Sequence, residues 1–190
     1  MFSFINQGIT KLDLSYCKSL DDRTWPDLIP FSQSIRSLTL KRCLGITDNS
    51  FEGTFGAQFI ELELLDLSES PFLTDSAISS ILSAAPNLRK LNLSLTTSLK
   101  GSFLLHHNSL PSLKVLHLNH LKEVVNENFC VRLVKACGNL EELYLDGCSQ
   151  LDDDSLAHLD KLPNLRILSF NDCPQVSLGT LEILNLKYGL

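Results

Sequence analysis

Apolar and polar positions along the chain alternate in one short frame, Leu-x-x-Leu-x-Leu with conservative swaps. It begins at Ile9, Ile35, Leu62, Leu88, Leu113, Leu140 and Leu165. The central leucines, Leu12, Leu38, Leu65, Leu91, Leu116, Leu143 and Leu168, follow one another at steps of 26, 27, 26, 25, 27 and 25 residues. Pairs such as Leu12/Leu14, Leu116/Leu118 and Leu143/Leu145 put one side chain in and the next out, which predicts a short strand. Two further columns continue past it. Three residues beyond Cys17 and its equivalents stand Leu20, Ile46, Leu73, Leu99, Val124, Leu151 and Val176. Eight beyond stand Trp25, Phe51, Ile78, Leu104, Phe129, Leu156 and Leu181. Only 44% of the chain is hydrophobic, so columns apolar at every recurrence fix the register.

After each turn the period changes. Residues 77–85 (AISSILSAA) and 129–136 (FCVRLVKA) have helical spacing and good helix formers. Asp48, Asp75, Asp153 and Asn126 precede these stretches where an N-cap would accept the first free amides. Pro86-Asn87, Gly138-Asn139 and Pro163-Asn164 stop the helix and lead into the next strand. Each unit reads strand, turn, helix, turn, and a period near 26 with this frame is a leucine-rich repeat signature.

One such unit cannot bury both its strand and its helix stripe, but a stack of units can. The expected fold is therefore α/β: a right-handed horseshoe arc of about seven repeats, with a parallel concave sheet and convex helices. Strands about 4.8 Å apart give a sheet roughly 30 Å across. The chain reads as one repeat domain, 1–190. Residues 1–8 form a partial lid through Phe2, Phe4 and Ile5, 9–176 the repeats, and 177–190 a terminal convex helix. No polar cap follows that helix. Solenoid ends need shielding, so at least one end is expected to pack on another domain, chain or partner, end-to-end self-association included.

Composition then narrows the partners. A net charge of −6 with interspersed signs argues against nucleic acid or anionic lipid. No run approaches eighteen apolar residues, so no membrane span is expected. The start, MFSFINQG, has neither a signal-peptide pattern nor an Arg-rich transit pattern. Cys17, Cys43, Cys148 and Cys173 share one column, with Cys130 and Cys137 in the fifth helix. Without a CxxC pair or nearby histidines, these read as small buried thiols rather than zinc ligands or disulfides. They place the chain in a reducing compartment, the cytoplasm or the nucleus.

Other chemistry-bearing residues have plainer readings. Asp152-Asp153-Asp154 falls at a helix start, where carboxylates favour the positive helix end. Trp25 reads as core, His106-His107 as solvated, and the sequon at Asn92 lies inside a strand. No nucleophile–base pair or phosphate loop can be placed, so no enzyme activity, cofactor or metal is expected.

The pattern Leu-x-x-Leu-x-Leu-x-x-Cys, then x-x-Leu-Thr-Asp, an apolar helix, and Cys or Pro before Asn-Leu resembles the cysteine-containing leucine-rich repeat subfamily. Residues 35–51 (IRSLTLKRCLGITDNSF), 73–94 (LTDSAISSILSAAPNLRKLNLS) and 129–156 (FCVRLVKACGNLEELYLDGCSQLDDDSL) match it best. That subfamily includes F-box proteins, whose repeats hold substrates for cullin-type ubiquitin ligases. It also includes the yeast antagonist of mitotic exit and an ATP-synthase-associated mitochondrial subunit. The resemblance implies a non-catalytic protein-interaction module, a substrate-recognition or adaptor surface with ubiquitin-ligase components among its partners. The alternatives are an assembly factor of a larger complex and a secreted pathogen effector mimicking host repeats. The chain departs from the pattern at Ser70, Thr96 and Leu121 in the cysteine column, and at Lys100-Gly101, so 103–109 is expected to be irregular. Only eight residues precede the first repeat, too few for an F-box, so an excised repeat domain or a stand-alone module is expected.

Binding is expected on the outward strand positions and adjoining turns. There the candidates are Leu64, Val115 and Ile167, Asp66, His117 and Tyr144, and Asp146. At the strand ends stand Tyr16, Arg42, Leu95 and His120, with Phe72 in the following turn. Aromatic residues and arginine dominate protein-interface energetics.

Overall fold

The computed structural model describes residues 8–52 and 59–188; Phe2, Phe4 and Ile5, the expected lid, lie outside them. The leucine frame forms seven strands: β1 (Lys11–Asp13), β2 (Ser37–Thr39), β3 (Leu64–Asp66), β4 (Lys90–Asn92), β5 (Val115–His117), β6 (Glu142–Tyr144) and β7 (Ile167–Ser169). They make one open parallel sheet in chain order. Leucine lies opposite leucine at every step, from Leu12↔Leu38 to Leu143↔Leu168, so the repeat period is the sheet register. The ladder runs on into the turn, where Leu14 N–H donates to Thr39 O and Tyr16 N–H to Lys41 O, both at 2.8 Å.

The other layer is less uniform than expected. Four α-helices occur among the described residues: α1 (Asp75–Ala84), α2 (Glu127–Ala136), α3 (Asp153–Leu159) and α4 (Leu178–Tyr188). Trp25–Ser34, Asp48–Ser50 and Ser102–Leu104 are 3-10 segments. Pro26 and Pro30 remove amide donors from the first of these, which favours the tighter turns. The third follows Gly101, at φ 84°, which has no side chain to cap with; this is the irregular stretch expected in the fourth unit.

The capping scheme is also corrected. Asn126 caps α2 as expected, but Thr47, Thr74 and Asp152 cap the segments assigned to Asp48, Asp75 and Asp153. The aspartates bond instead to the following unit. Asp48 accepts Thr74 N–H at 2.8 Å, Asp75 accepts Lys100 N–H at 2.8 Å, and Asp153 accepts Ser177 N–H at 2.9 Å. Asp22 does the same to Thr47 N–H at 2.9 Å. Each carboxylate sits at the start of one helical segment and fastens the start of the next.

Between the layers runs a leucine core in which Trp25, 2% exposed, packs on Phe51 and Phe59 at ring centroid distances of 5.3 and 6.0 Å. The cysteine column has a specific task. Cys43, Cys148 and Cys173 donate from Sγ to Leu14 O, Leu118 O and Leu145 O, at 3.1, 3.3 and 3.3 Å. Thr96 Oγ1 replaces the thiol and reaches Leu67 O at 3.1 Å. A short side chain with a donor fits here, because each accepting carbonyl lies in the preceding unit. Asn87 and Asn139 do the same on the way into the next strand, donating from Nδ2 to Ile60 O at 2.8 Å and Pro111 O at 2.9 Å.

Candidate functional site

The strand ends carry a regular backbone feature. Tyr16, Arg42, Glu69, Leu95, His120 and Asp172 have φ between 54° and 62°, and Gly147, at the same place in the sixth unit, has φ 69°. Every unit thus turns through a left-handed residue just before the cysteine column. For a residue with a Cβ this costs about 1 kcal/mol. The turn aims that residue sideways onto the rim beside the open face of the sheet. Four of the expected site residues, Tyr16, Arg42, Leu95 and His120, stand in this column. Glu69 and Asp172 also belong to it, and a lone glycine directly before Cys148 was the one sequence signal of its geometry.

Along the first four units the rim is apolar and open. Tyr16 is 54% exposed, Phe72 57% and Leu95 41%, and Leu44, overlooked in the sequence, joins them at 50%. Charges flank the row. Lys41 Nζ lies 5.9 Å from the Tyr16 ring centroid and pairs with Glu69 at 3.1 Å, while Arg42 reaches Glu69 at 3.3 Å. Hydrogen bonding to Glu69 and then to Tyr16 raises the Lys41 pKa, so the ammonium stays charged. Next along, Leu95, Leu99, His120, Leu121 and Val124 line a groove of about 560 Å³. The His120 ring lies over Gly147, where an added Cβ would come within 2.2 Å of Nδ1.

The open face of the sheet is more self-contained. His117 and Tyr144, opposite each other on β5 and β6, stack with ring centroids 4.2 Å apart and planes at 2°. Tyr144 donates to Glu142 Oε2 at 3.0 Å. Burial, helped by Lys90 and opposed by Asp66 and Glu142, lowers the His117 pKa, so its imidazole is neutral at pH 7. Its Nε2 is enclosed with no hydrogen-bond partner. Burial and the Glu142 contact raise the Tyr144 pKa.

Asp66 accepts Asn92 Nδ2 at 3.0 Å. Asp146 Oδ1 takes Ser169 Oγ at 2.7 Å, Asn171 N–H at 2.7 Å and Asn171 Nδ2 at 3.0 Å. Both carboxylates are thus engaged within the sheet. Leu64 and Val115, on inner strands, are half-buried rather than open; Ile167, on β7, is 43% exposed. His120 is separated from His117 by the end of the strand and serves the rim instead. On the helical side His107 is half-buried, not solvated, with Nε2 3.3 Å from Ser79 Oγ.

No protein-family model matches the sequence. Among solved structures, a chain of the yeast Rad7–Elc1 complex is similar with a TM-score of 0.64 and 22% identity. The match covers 80% of this chain and 38% of that one, so this chain spans well under half of its neighbour's length. The likeness is one of fold, and with the open parallel sheet it marks the repeats as leucine-rich-repeat-like.

Proposed function

We propose that the chain is a non-catalytic protein-recognition module that holds a folded partner or peptide across the rim and the adjoining sheet face. It would work in the manner of the cysteine-containing repeats that present substrates in F-box ubiquitin-ligase receptors, with ligase components among its partners. The observation that carries this reading is the left-handed column. Gly147 shows that the turn accepts glycine, yet the other six units keep side chains there at a conformational cost. Tyr16, Arg42, Leu95 and His120 thereby project from the rim, beside Leu44 and Phe72, without serving the core. Aromatic and arginine side chains so displayed are the kinds that anchor protein interfaces. The free, mostly buried cysteines favour a reducing compartment, so we place the module in the cytoplasm or nucleus.

The test captures partners by affinity purification with mass spectrometry, then titrates the recovered partner against wild type and two variants. Tyr16→Ala with Phe72→Ala addresses the rim, and His117→Ala with Tyr144→Ala the sheet face. Each pair is expected to weaken binding at least tenfold, a hot-spot loss of about 1.4 kcal/mol or more, with the circular dichroism of the fold retained. Unchanged affinity in both variants would move the site elsewhere.

A further inference from the structure

Three departures from the repeat pattern meet at one place. Leu121 stands in the cysteine column and gives up the hydrogen bond that Cys43, Thr96 and Cys148 make there to the preceding unit. Lys100 and Gly101 stand where the third unit has Thr74, its cap, and Asp75, its latch to the next unit. Leu121 and Lys100 line the groove of about 560 Å³ between the rim turns of the fourth and fifth units. Gly101 lies against Val124 in the same groove, where an added Cβ would come within 3.2 Å of Cγ1. The floor is apolar, with Leu99, Leu121 and Val124 almost fully buried, while Leu95 forms an open wall. Leu95 also belongs to the apolar row of Tyr16, Leu44 and Phe72, so the groove continues the rim. Its volume lies within the range of about 300–1,000 Å³ usual for ligand sites.

The charges at its mouth are unequal. Lys100 Nζ pairs with Glu123 Oε2 at 2.6 Å, and that contact holds the Glu123 carboxyl below the ordinary value. Lys122, on the fifth-unit side, has no ion pair among the described residues. One uncompensated cation thus borders an apolar groove in a chain of net charge −6. We propose that this groove is the specificity pocket of the recognition surface, taking a leucine or phenylalanine side chain of an extended partner segment that carries an aspartate or glutamate beside it. The proposal rests on the reading of the rim as a recognition surface and names what that surface selects.

The two parts of the pocket do different work. An apolar side chain seated against Leu95, Leu99, Leu121 and Val124 leaves water, which supplies affinity. The carboxylate meets Lys122 at an exposed rim, where a charge pair supplies selectivity more than affinity. A basic neighbour would meet Lys122 with like charge, and Glu123 offers it little because Lys100 already holds that carboxylate. A purely apolar ligand would leave Lys122 unused. Leu95 is held at the groove by its left-handed turn at φ 62°, a cost that no core contact repays.

The probe is a phage library of random linear dodecapeptides, panned on the full 190-residue chain, with fluorescence polarisation of the enriched peptides. Wild type should enrich a leucine or phenylalanine with an aspartate or glutamate within two positions of it. Leu95→Asn removes the groove wall, while asparagine accepts the left-handed backbone. It should weaken those peptides about tenfold or more, with the circular dichroism unchanged. Lys122→Glu changes an exposed side chain and should weaken them about two- to fivefold. Panning on that variant should enrich basic neighbours of the same apolar residue. The groove assignment is overturned if no motif is enriched, if the apolar residue comes without acidic neighbours, if the acidic preference survives Lys122→Glu, or if Leu95→Asn binds at full strength. The wider reading fails separately. Peptides that need Tyr16 and Phe72 but not Leu95 or Lys122 leave rim recognition standing without this pocket. A captured partner indifferent to the rim and sheet variants overturns rim recognition itself, and this pocket's role in it.

Discussion

Replacing Asp22 tests whether side chains at the start of each helical segment hold the stack together. Its Oδ1 accepts Thr47 N–H at 2.9 Å and Ser50 Oγ at 2.5 Å, and its Oδ2 accepts Thr47 Oγ1 at 2.6 Å. A hydrogen bond to a charged acceptor contributes about 1.5–3 kcal/mol; the freed Thr47 hydroxyl can turn to water, but Ser50 is buried. The loss in Asp22→Ala is then mainly that of the Thr47 amide and buried Ser50 hydroxyl contacts, about 2–3 kcal/mol in all. For a chain of this size that lowers the melting temperature by roughly 5–10 °C. Asp22→Asn keeps one acceptor and should lose less.

The damage should be local, because a stacked array is stabilised through nearest neighbours. Hydrogen exchange should speed up at Leu14 and Tyr16, whose amides bridge β1 to β2, and stay slow at Leu118 and His120, which bridge β5 to β6. The pH dependence has a definite sign. Burial pushes the Asp22 carboxyl up, but hydrogen bonds from Ser50, Thr47 and Asn49 outweigh it, so its pKa lies below the ordinary value. The stabilisation is therefore complete above the unfolded carboxylate pKa of about 4 and fades as pH falls through the lower folded value. A loss under about 0.5 kcal/mol, or a wild-type advantage that grows on acidification, would refute the latch.

Two further perturbations probe the rim and the thiols. Gly147→Ala should cost about 1–2 kcal/mol, since its left-handed φ of 69° strains alanine and its Cβ must displace the His120 ring. In a His120→Ala background the cost should fall towards the backbone part alone, and strict additivity in the double-mutant cycle would refute that contact. Burial pushes the thiols of Cys130, Cys137 and Cys148 up to about 12, so alkylation of the folded protein should be slow at all three. Half-buried Cys17 should label first, and denaturation should release all six; fast labelling of Cys148 in the native state would contradict its burial.

The leucine frame was legible because a strand's period of two and a repeat near 26 leave marks at fixed offsets. Leu12, Leu38 and Leu65 could be aligned from their letters alone, and they are register partners in the sheet. The binding candidates were legible only as positions. Asp66 and Asp146 read as free surface carboxylates, yet Asn92, Ser169 and Asn171 occupy them, and those partners come from neighbouring units 23 to 26 residues away. The aspartate latches were misassigned for the same reason. A carboxylate at a helix start satisfies the capping rule, and nothing local reveals that Thr47 and Thr74 take the cap while Asp48 reaches forward to the next unit.

By itself, then, the sequence determined the unit, its register and the residues that form the buried columns. All of these depend on side-chain polarity at fixed intervals, which one dimension records. The tertiary structure decided the left-handed turn that displays Tyr16, Arg42, Leu95 and His120, the stack of His117 on Tyr144, and the exposure of Leu178, Leu181 and Ile183. Backbone dihedrals, cross-strand neighbours and exposure depend on what lies alongside a residue in space. Apolar letters are the same at a sealed column and at an open one.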